Sequence, residues 1–111
     1  VKLCQILKEK GVEVMDISSG GAVVQQKINP EPNYQVFLAE AVKQEAKIVT
    51  GTVGIITSGK QADTLLQEDK ADLILIGRAF LADPHFPLRA AHELGIDIHW
   101  PVQYERAKRA F

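Results

Sequence analysis

The sequence predicts an α/β fold built on parallel strands, with helices between consecutive strands. Three short runs rich in β-branched or apolar residues alternate with amphipathic stretches along the 111 residues. The run Leu73–Ile76 is continuously apolar, which is typical of a strand covered on both faces, as in a parallel sheet. Each run leads directly into a loop that contains glycine, and ligands of α/β folds bind at such strand ends.

The first element is a predicted helix, Lys2–Lys10, which leads into the first predicted strand. Its apolar residues recur at the spacing of one helix face, and Gly11 is a residue type that commonly follows a helix end. Cys4 is the only cysteine and lies on that apolar face, so we predict a small core residue without a disulfide. Val12–Ser18 is rich in β-branched residues, which favour a strand.

The second unit begins with an irregular crossing loop and continues with a helix and a strand. Ala22–Pro32 is polar and contains two prolines, which favour a loop. The apolar residues that follow have the i, i+3, i+4, i+7, i+8 spacing of a helix face, and we expect this stripe to pack on the sheet. The stripe consists of Tyr34, Phe37, Leu38, Ala41 and Val42. Ile48–Val53 is the next predicted strand.

The third unit has a capped helix, the strand Leu73–Ile76 and a final helix. Ser58 and Gln61 have the spacing of a capping box, which predicts a helix start. The last helix is predicted over Pro84–Leu94, with Asp83 as its N-cap and Pro84 as its first helical residue. Gly95 then ends it.

Three parallel strands make a sheet with two open edges, which is rarely a finished fold. The pattern fits three consecutive units of a larger doubly wound sheet or of an eight-stranded barrel. Val1 falls directly into the first helical pattern, with no strand or cap before it. We therefore expect that the complete protein has a further N-terminal part.

The composition is ordinary for a soluble globular chain, with 46% hydrophobic and 24% charged residues. The net charge is −1, and no basic cluster occurs before the last few residues, so no nucleic-acid or anionic-membrane partner is predicted. The apolar runs are too short to span a bilayer. One cysteine and no signal-peptide pattern favour a reduced, cytoplasmic setting.

The glycine-containing strand exits are the candidate binding elements. They are Ser18–Gly21, Thr50–Gly54 and Gly77-Arg78. In barrels, the loops after the last two strands frequently bind phosphate through backbone N–H groups. The spacing leaves two interpretations open, a phosphate site or plain turn glycines. Arg78 likewise fits either a phosphate contact or a surface ion pair.

Other polar residues suggest no complete catalytic or metal site. His85, His92 and His99 are seven residues apart, too far for the usual i, i+4 metal pair, so we predict structural or surface histidines. Asp16 lies in a strand beside an exit loop, and we favour a structural role, with a neighbouring backbone N–H as its partner, over a catalytic one. No set of nucleophile, base and orienting group can be assembled.

Several blocks, in combination, form a specific pattern across nearly the whole chain. They are Gly11-Val12, Asp16–Gly20, Thr50–Gly54, Ala71–Arg78, Leu81–Pro84 and Pro101–Arg106. With these blocks the chain resembles the C-terminal part of the old yellow enzyme family, flavin-dependent ene-reductases and NAD(P)H dehydrogenases. It looks most like the bacterial YqjM-like branch.

The resemblance implies a (β/α)8 TIM barrel that holds FMN at its mouth. Residues 1–95 would supply the last three βα units with the preceding helix, and residues 96–111 would form a C-terminal tail. Gly54, Gly77 and Arg78 correspond to the positions that bind the FMN phosphate. Arg106 corresponds to an arginine that reaches the active site of a neighbouring subunit, which implies a homo-oligomer.

The resemblance also implies a reaction for the intact enzyme: hydride transfer from NAD(P)H to FMN, and from the flavin to an activated alkene. The family's catalytic side chains lie upstream, so none is assigned here, and we expect the fragment alone to be inactive without the N-terminal part of the barrel. The alternative is a non-enzymatic phosphate-binding or oligomerising part-barrel module.

Overall fold

The computed structural model describes residues 1–110 and shows helices alternating with the strands of a parallel sheet. Phe111, the last residue of the predicted tail, lies outside the described residues. The elements are α1 (Lys2–Glu9), β1 (Val14–Ile17), α2 (Val36–Ala46), β2 (Val49–Thr52), α3 (Gly59–Gln67), β3 (Leu73–Ile74), α4 (Arg78–Ala82), α5 (Phe86–Glu93) and a 3₁₀ helix (Val102–Ala110).

The three strands form one sheet in the order β1-β2-β3, with both pairs parallel. Val14 pairs with Val49, and Gly51 pairs with Leu73. The predicted parallel α/β arrangement is therefore confirmed. The strands are shorter than predicted, and β3 has only two residues, because its partner β2 ends at Thr52, which pairs with Ile74.

The helices cover one face of this sheet. One buried cluster joins α1, α2 and the start of β2, and it contains Cys4, Val42, Ala46 and Ile48. A second cluster joins α2, the loop between β2 and α3, and α3, and it contains Val36, Ile56 and Leu65. The prediction that Cys4 is a small core residue is confirmed.

The opposite face of the sheet exposes one apolar residue on each of the three strands, while the Leu75 side chain lies over Gly51 in the central strand. Val14, Val49 and Leu73 share this face by register and alternation, and their exposed fractions are 49%, 43% and 49%. The prediction that the run Leu73–Ile76 is covered on both faces is wrong for this chain. Its strand lies at the sheet edge, and residues 1–110 supply helices on one side only.

Helix α2 forms where predicted, but a different stripe faces the sheet. Its buried residues are Val36, Ala39, Val42 and Ala46. Phe37 belongs to the predicted stripe yet is 66% exposed, and it lines a groove between α2 and α3. The small and β-branched residues face the sheet because the helix packs on β2, whose threonines Thr50 and Thr52 are fully buried there.

The segment after β3 contains two helices where one was predicted. Helix α4 begins directly after Gly77, and α5 has His85 as its N-cap. The predictions of Asp83 as N-cap and Pro84 as first helical residue are wrong, because both precede the N-cap of α5; Asp83 has an extended conformation, which a residue before proline favours. Its carboxylate accepts hydrogen bonds from the His85 N–H (3.1 Å) and the Arg89 Nε (2.7 Å).

The predicted glycine stops are both confirmed, since Gly11 and Gly95 have φ angles of +95° and +67° after helices α1 and α5. Beyond them, Trp100 is buried and Lys108 pairs with Asp97, which attaches the 3₁₀ helix to the segment before it. Of the helices within residues 1–110, none combines the length and apolarity that crossing a bilayer requires.

Candidate functional site

A cleft of about 490 Å³ lies at the carboxyl ends of β2 and β3. It is lined by Pro30, Tyr34, Gln35, residues 53–57 and residues 75–79. The predicted site residues Gly54, Gly77 and Arg78 all belong to this lining, so the structure brings them together. The first strand exit, Ser18–Gly21, is outside the lining.

The loop after β2 forms one wall and has a conformation at Gly54, its second residue, that only glycine fits. Gly54 has a φ angle of +130°, and a Cβ there would lie 2.9 Å from the Tyr34 ring. The next residue, Ile55, has a φ angle of +50°, which is rare for a β-branched side chain. This wall is therefore a defined, strained turn whose shape depends on its surroundings.

Gln35 connects this wall to the first strand exit. Its side chain is buried, its Oε1 accepts a hydrogen bond from the Ser19 N–H, and its Nε2 donates to the Val53 carbonyl at 3.5 Å. Sequence reasoning missed Gln35, because a glutamine beside an amphipathic helix is usually exposed. Its position beside Tyr34, at the start of the predicted helix, was the only available signal.

Gln61 fixes the same loop from the side of α3. Its N–H donates to the Ser58 hydroxyl at 3.1 Å, which confirms half of the predicted capping box. The other half is wrong, because its Oε1 accepts from the Thr57 N–H (3.0 Å) and not from the N-cap residue. Its Nε2 donates to Asn33 Oδ1 (2.7 Å) and to the Ile55 carbonyl (2.9 Å).

The other wall is the exit of β3. Gly77 is exposed and precedes α4, and a Cβ placed on it would meet no atom within 4 Å. Arg78 begins α4 and is exposed. Within residues 1–110, its guanidinium has no carboxylate at ion-pair distance. The alternative interpretation of Arg78 as part of a surface ion pair therefore has no partner residue in the described chain.

The lining residues suit binding better than acid–base catalysis. Of the described residues that line the cleft, Arg78 is the only one with a charged side chain, and none is a histidine, cysteine or carboxylate. An arginine beside an exposed glycine backbone can bind an anionic oxygen group through charge-assisted hydrogen bonds. A proton-transferring group would have to come from elsewhere.

The remaining candidates lie outside the cleft. Asp16 is on the open face of the sheet, and within the described chain its carboxylate accepts no hydrogen bond, so the predicted backbone partner is wrong. The His85 ring contacts the Tyr104 ring edge-on, with centroids 4.9 Å apart. Arg106 is exposed on the 3₁₀ helix. Residues 1–110 contain no cluster of three or more His, Cys, Asp or Glu side chains able to hold a metal ion.

Fold and cleft together define a parallel α/β protein with a glycine-lined cleft and one arginine at its strand ends. The family model described as "NADH:flavin oxidoreductase / NADH oxidase family" matches residues 2–97. The chain therefore belongs to this family, and the resemblance found in the sequence is confirmed.

Three similar proteins have the name NADPH dehydrogenase. The one from Bacillus pumilus (strain SAFR-032) is 56% identical over 101 residues, or 91% of this chain. Those from Geobacillus thermodenitrificans (strain NG80-2) and Bacillus velezensis (strain DSM 23117 / BGSC 10A6 / LMG 26770 / FZB42) are 52% and 50% identical over 93% and 91% of this chain. The matched region spans 30% of the length of each relative.

Proposed function

We propose that this chain is the FMN-phosphate-binding part of an NAD(P)H-dependent oxidoreductase. The observation that carries the proposal is the convergence of Gly54, Gly77 and Arg78 on one cleft at adjacent strand ends. Family membership and the relatives' name, NADPH dehydrogenase, support the flavin and the reductant.

The cleft residues fit a phosphate group. The Arg78 guanidinium supplies a permanent positive charge with a forked set of donors, which suits phosphate oxygens. The open space beside Gly77 lets an anion approach the backbone, since no side chain stands there. FMN, when bound, supplies hydride transfer between NAD(P)H and an activated alkene. The chain's own part is to hold and orient the phosphate end.

In this proposal, residues 1–95 are the last three βα units of a (β/α)8 barrel, and residues 96–111 are a tail. The open apolar face with Val14, Val49 and Leu73 supports this arrangement, because it would face the barrel interior and the remaining strands. The remainder of the barrel would supply the catalytic groups, so these residues alone would be inactive. Arg106 would act in a neighbouring subunit of a homo-oligomer.

The test compares FMN with riboflavin, which lacks the phosphate, by fluorescence titration of the complete gene product. We expect FMN to bind about 100-fold more tightly, as two charge-assisted hydrogen bonds would provide. Arg78→Ala should weaken FMN binding about 10-fold and leave riboflavin binding unchanged. Arg109→Ala, which removes an exposed arginine outside the cleft, is the control.

Equal affinity for FMN and riboflavin in the wild-type protein would overturn the proposal. The second candidate, an oligomerising part-barrel module, is favoured by the same open apolar face. A gene product that takes up no flavin and loses self-association when Val14 and Leu73 are replaced by threonine would support that candidate instead.

A further inference from the structure

We propose that Gln61 is a positioning residue for the phosphate-facing loop at residues 54–57. The inference rests on the proposed function, and it adds the residue that gives this loop its selectivity for the phosphate end of the flavin. Gln61 belongs to α3 and is not itself among the residues that line the cleft. It acts through the backbone of the loop.

The side chain of Gln61 bonds two backbone groups of the turn at once. Its oxygen accepts from the Thr57 N–H at 3.0 Å, and its nitrogen donates to the Ile55 carbonyl at 2.9 Å. A primary amide has an acceptor oxygen and an NH₂ group with two donors on the same carbon, so a single side-chain orientation makes both bonds. The turn is therefore closed by a side chain where a backbone hydrogen bond would otherwise be needed.

The same side chain ties the turn to the segment before α2. Gln61 Nε2 donates to Asn33 Oδ1 at 2.7 Å, and the Asn33 N–H donates to the Gly54 carbonyl at 3.0 Å. Asn33 has a φ angle of +65°, which asparagine accepts more readily than most residues. Three separate parts of the chain therefore meet at Gln61.

This arrangement explains the unusual backbone at Ile55. A β-branched residue at a φ of +50° persists only where the surrounding structure determines it. Two carbonyls of the turn, those of Gly54 and Ile55, accept hydrogen bonds from Asn33 and Gln61. Without the amide, we expect the turn to relax, and the backbone facing the cleft would lose its fixed direction.

The opposite wall of the cleft, at the exit of β3, should keep its structure when Gln61 is replaced. None of the hydrogen bonds of Gln61 in the described chain reaches Gly77 or Arg78. Loss of the Gln61 side chain should therefore reduce, and not abolish, the preference for a phosphate-bearing ligand. A residue with a purely structural role would change FMN and riboflavin binding together.

The experiment measures FMN and riboflavin dissociation constants for the complete gene product carrying Gln61→Leu. We expect FMN affinity to fall about 10-fold while riboflavin affinity changes less than about 2-fold. Hydrogen exchange at the Thr57 amide, measured without ligand, should accelerate in the same variant. Gln67→Leu, at an exposed position of the same helix, is the matched control and should behave as wild type.

A second variant keeps the test decisive if Gln61→Leu does not fold. Asn33→Gly retains easy access to positive φ and removes only one partner of Gln61, so a smaller loss of FMN selectivity is expected. An unchanged FMN-to-riboflavin ratio in folded variants would overturn the inference. A wild-type protein without FMN selectivity would overturn the proposed function instead, and hydrogen exchange would still show whether Gln61 fixes the turn.

Discussion

At the scale of single residues, the cleft depends on amide side chains that bond to backbone groups. Gln35 is 4% exposed and joins the Ser19 N–H to the Val53 carbonyl, two groups on neighbouring strand exits. A buried backbone group without a partner costs free energy comparable to a lost hydrogen bond. Gln35 therefore contributes to both stability and the shape of the cleft.

Replacing Gln35 with leucine should lower the free energy of unfolding by about 1–3 kcal/mol, because two backbone groups lose their side-chain partner. Urea denaturation followed by circular dichroism measures this change. Gln25→Leu, in an exposed loop, is the control and should stay within about 0.5 kcal/mol of wild type. Equal stability of the two variants would contradict the bridging role of Gln35.

Lys43 is a second residue whose contribution depends on its partners. Its ammonium group bonds to Asp69 and lies 3.0 Å from Asp72. The bond from Lys43, helped by Gln44, lowers the pKa of Asp69 below 3.8. The bond to Asp69 raises the pKa of Lys43 above 10.5; burial opposes this increase as the second-largest effect, and the contact with Asp72 adds to the increase.

These shifts define a pH dependence. Because the pKa of Asp69 is lowered in the folded state, its contribution to the free energy of unfolding is complete above pH 3.8. That contribution is lost as the pH falls through the pKa of the folded state. Because the pKa of Lys43 is raised in the folded state, its contribution to the free energy of unfolding is complete below pH 10.5. That contribution is lost as the pH rises through the pKa of the folded state. The unfolding free-energy difference between wild type and Lys43→Met should be constant between these limits and shrink outside them.

Chemical denaturation across the pH range measures that difference. The control is Lys60→Met, which removes an exposed lysine that has no ion pair within residues 1–110. The difference in unfolding free energy between this variant and wild type should not vary with pH. A pH-independent difference for Lys43→Met would mean that the pair is not formed in solution.

At the scale of elements, the contact between α3 and α5 depends on the absence of a side chain. A Cβ at Gly59 would lie 2.6 Å from the Ala90 Cβ and 2.7 Å from the Ala90 Cα. The Gly59 N–H also donates to the Glu93 carboxylate at 3.1 Å. The two helices can keep this distance only while the first residue of α3 is glycine.

Gly59→Ala should therefore destabilise the fold by about 1–3 kcal/mol through overpacking, although alanine is the better helix former. Thermal and urea denaturation both measure the loss. Lys60→Ala changes the next, exposed residue and should leave stability within about 0.5 kcal/mol. A gain in stability for Gly59→Ala would show that the helices separate easily.

The sequence predicted most elements because their signals are local. Periodicity located α1 and α2, the Ser58 hydroxyl located α3, and glycine exits located the cleft residues. The rotation of α2 that exposes Phe37 was missed, since two overlapping apolar stripes fit the same helix and packing on β2 selects one. Gln35 was missed because its partners lie 16 and 18 residues away.

At the scale of the whole molecule, the main feature is a sheet that the helices of residues 1–110 cover on one face. Leu73 is 49% exposed on the other face, where Val49 and Val14 on the other two strands are also exposed. Large apolar residues exposed on every strand of one sheet face are typical of a surface that another part of a protein covers. In the barrel proposal, the remaining strands of a longer chain cover this face.

Leu73→Asp in the complete gene product should accordingly lower the free energy of unfolding by more than about 3 kcal/mol, the cost of a buried unpaired charge. Leu81→Asp is the matched control, since Leu81 is 84% exposed in α4 and should tolerate the charge. Denaturation of both variants provides the comparison. If the two substitutions cost the same, the open face stays in water and the barrel proposal fails.

The loop between β1 and α2 is anchored at both of its ends. Ser19 is bonded by Gln35, and Asn33 is bonded by Gln61 and by the Gly54 carbonyl, while residues 22–32 between them are exposed throughout. A peptide tag inserted within residues 22–25, ahead of the cleft-lining Pro30, would lengthen the loop without requiring either anchor to shift. The molecule carries a ready attachment point for labels or surface tethers a short distance from its cleft.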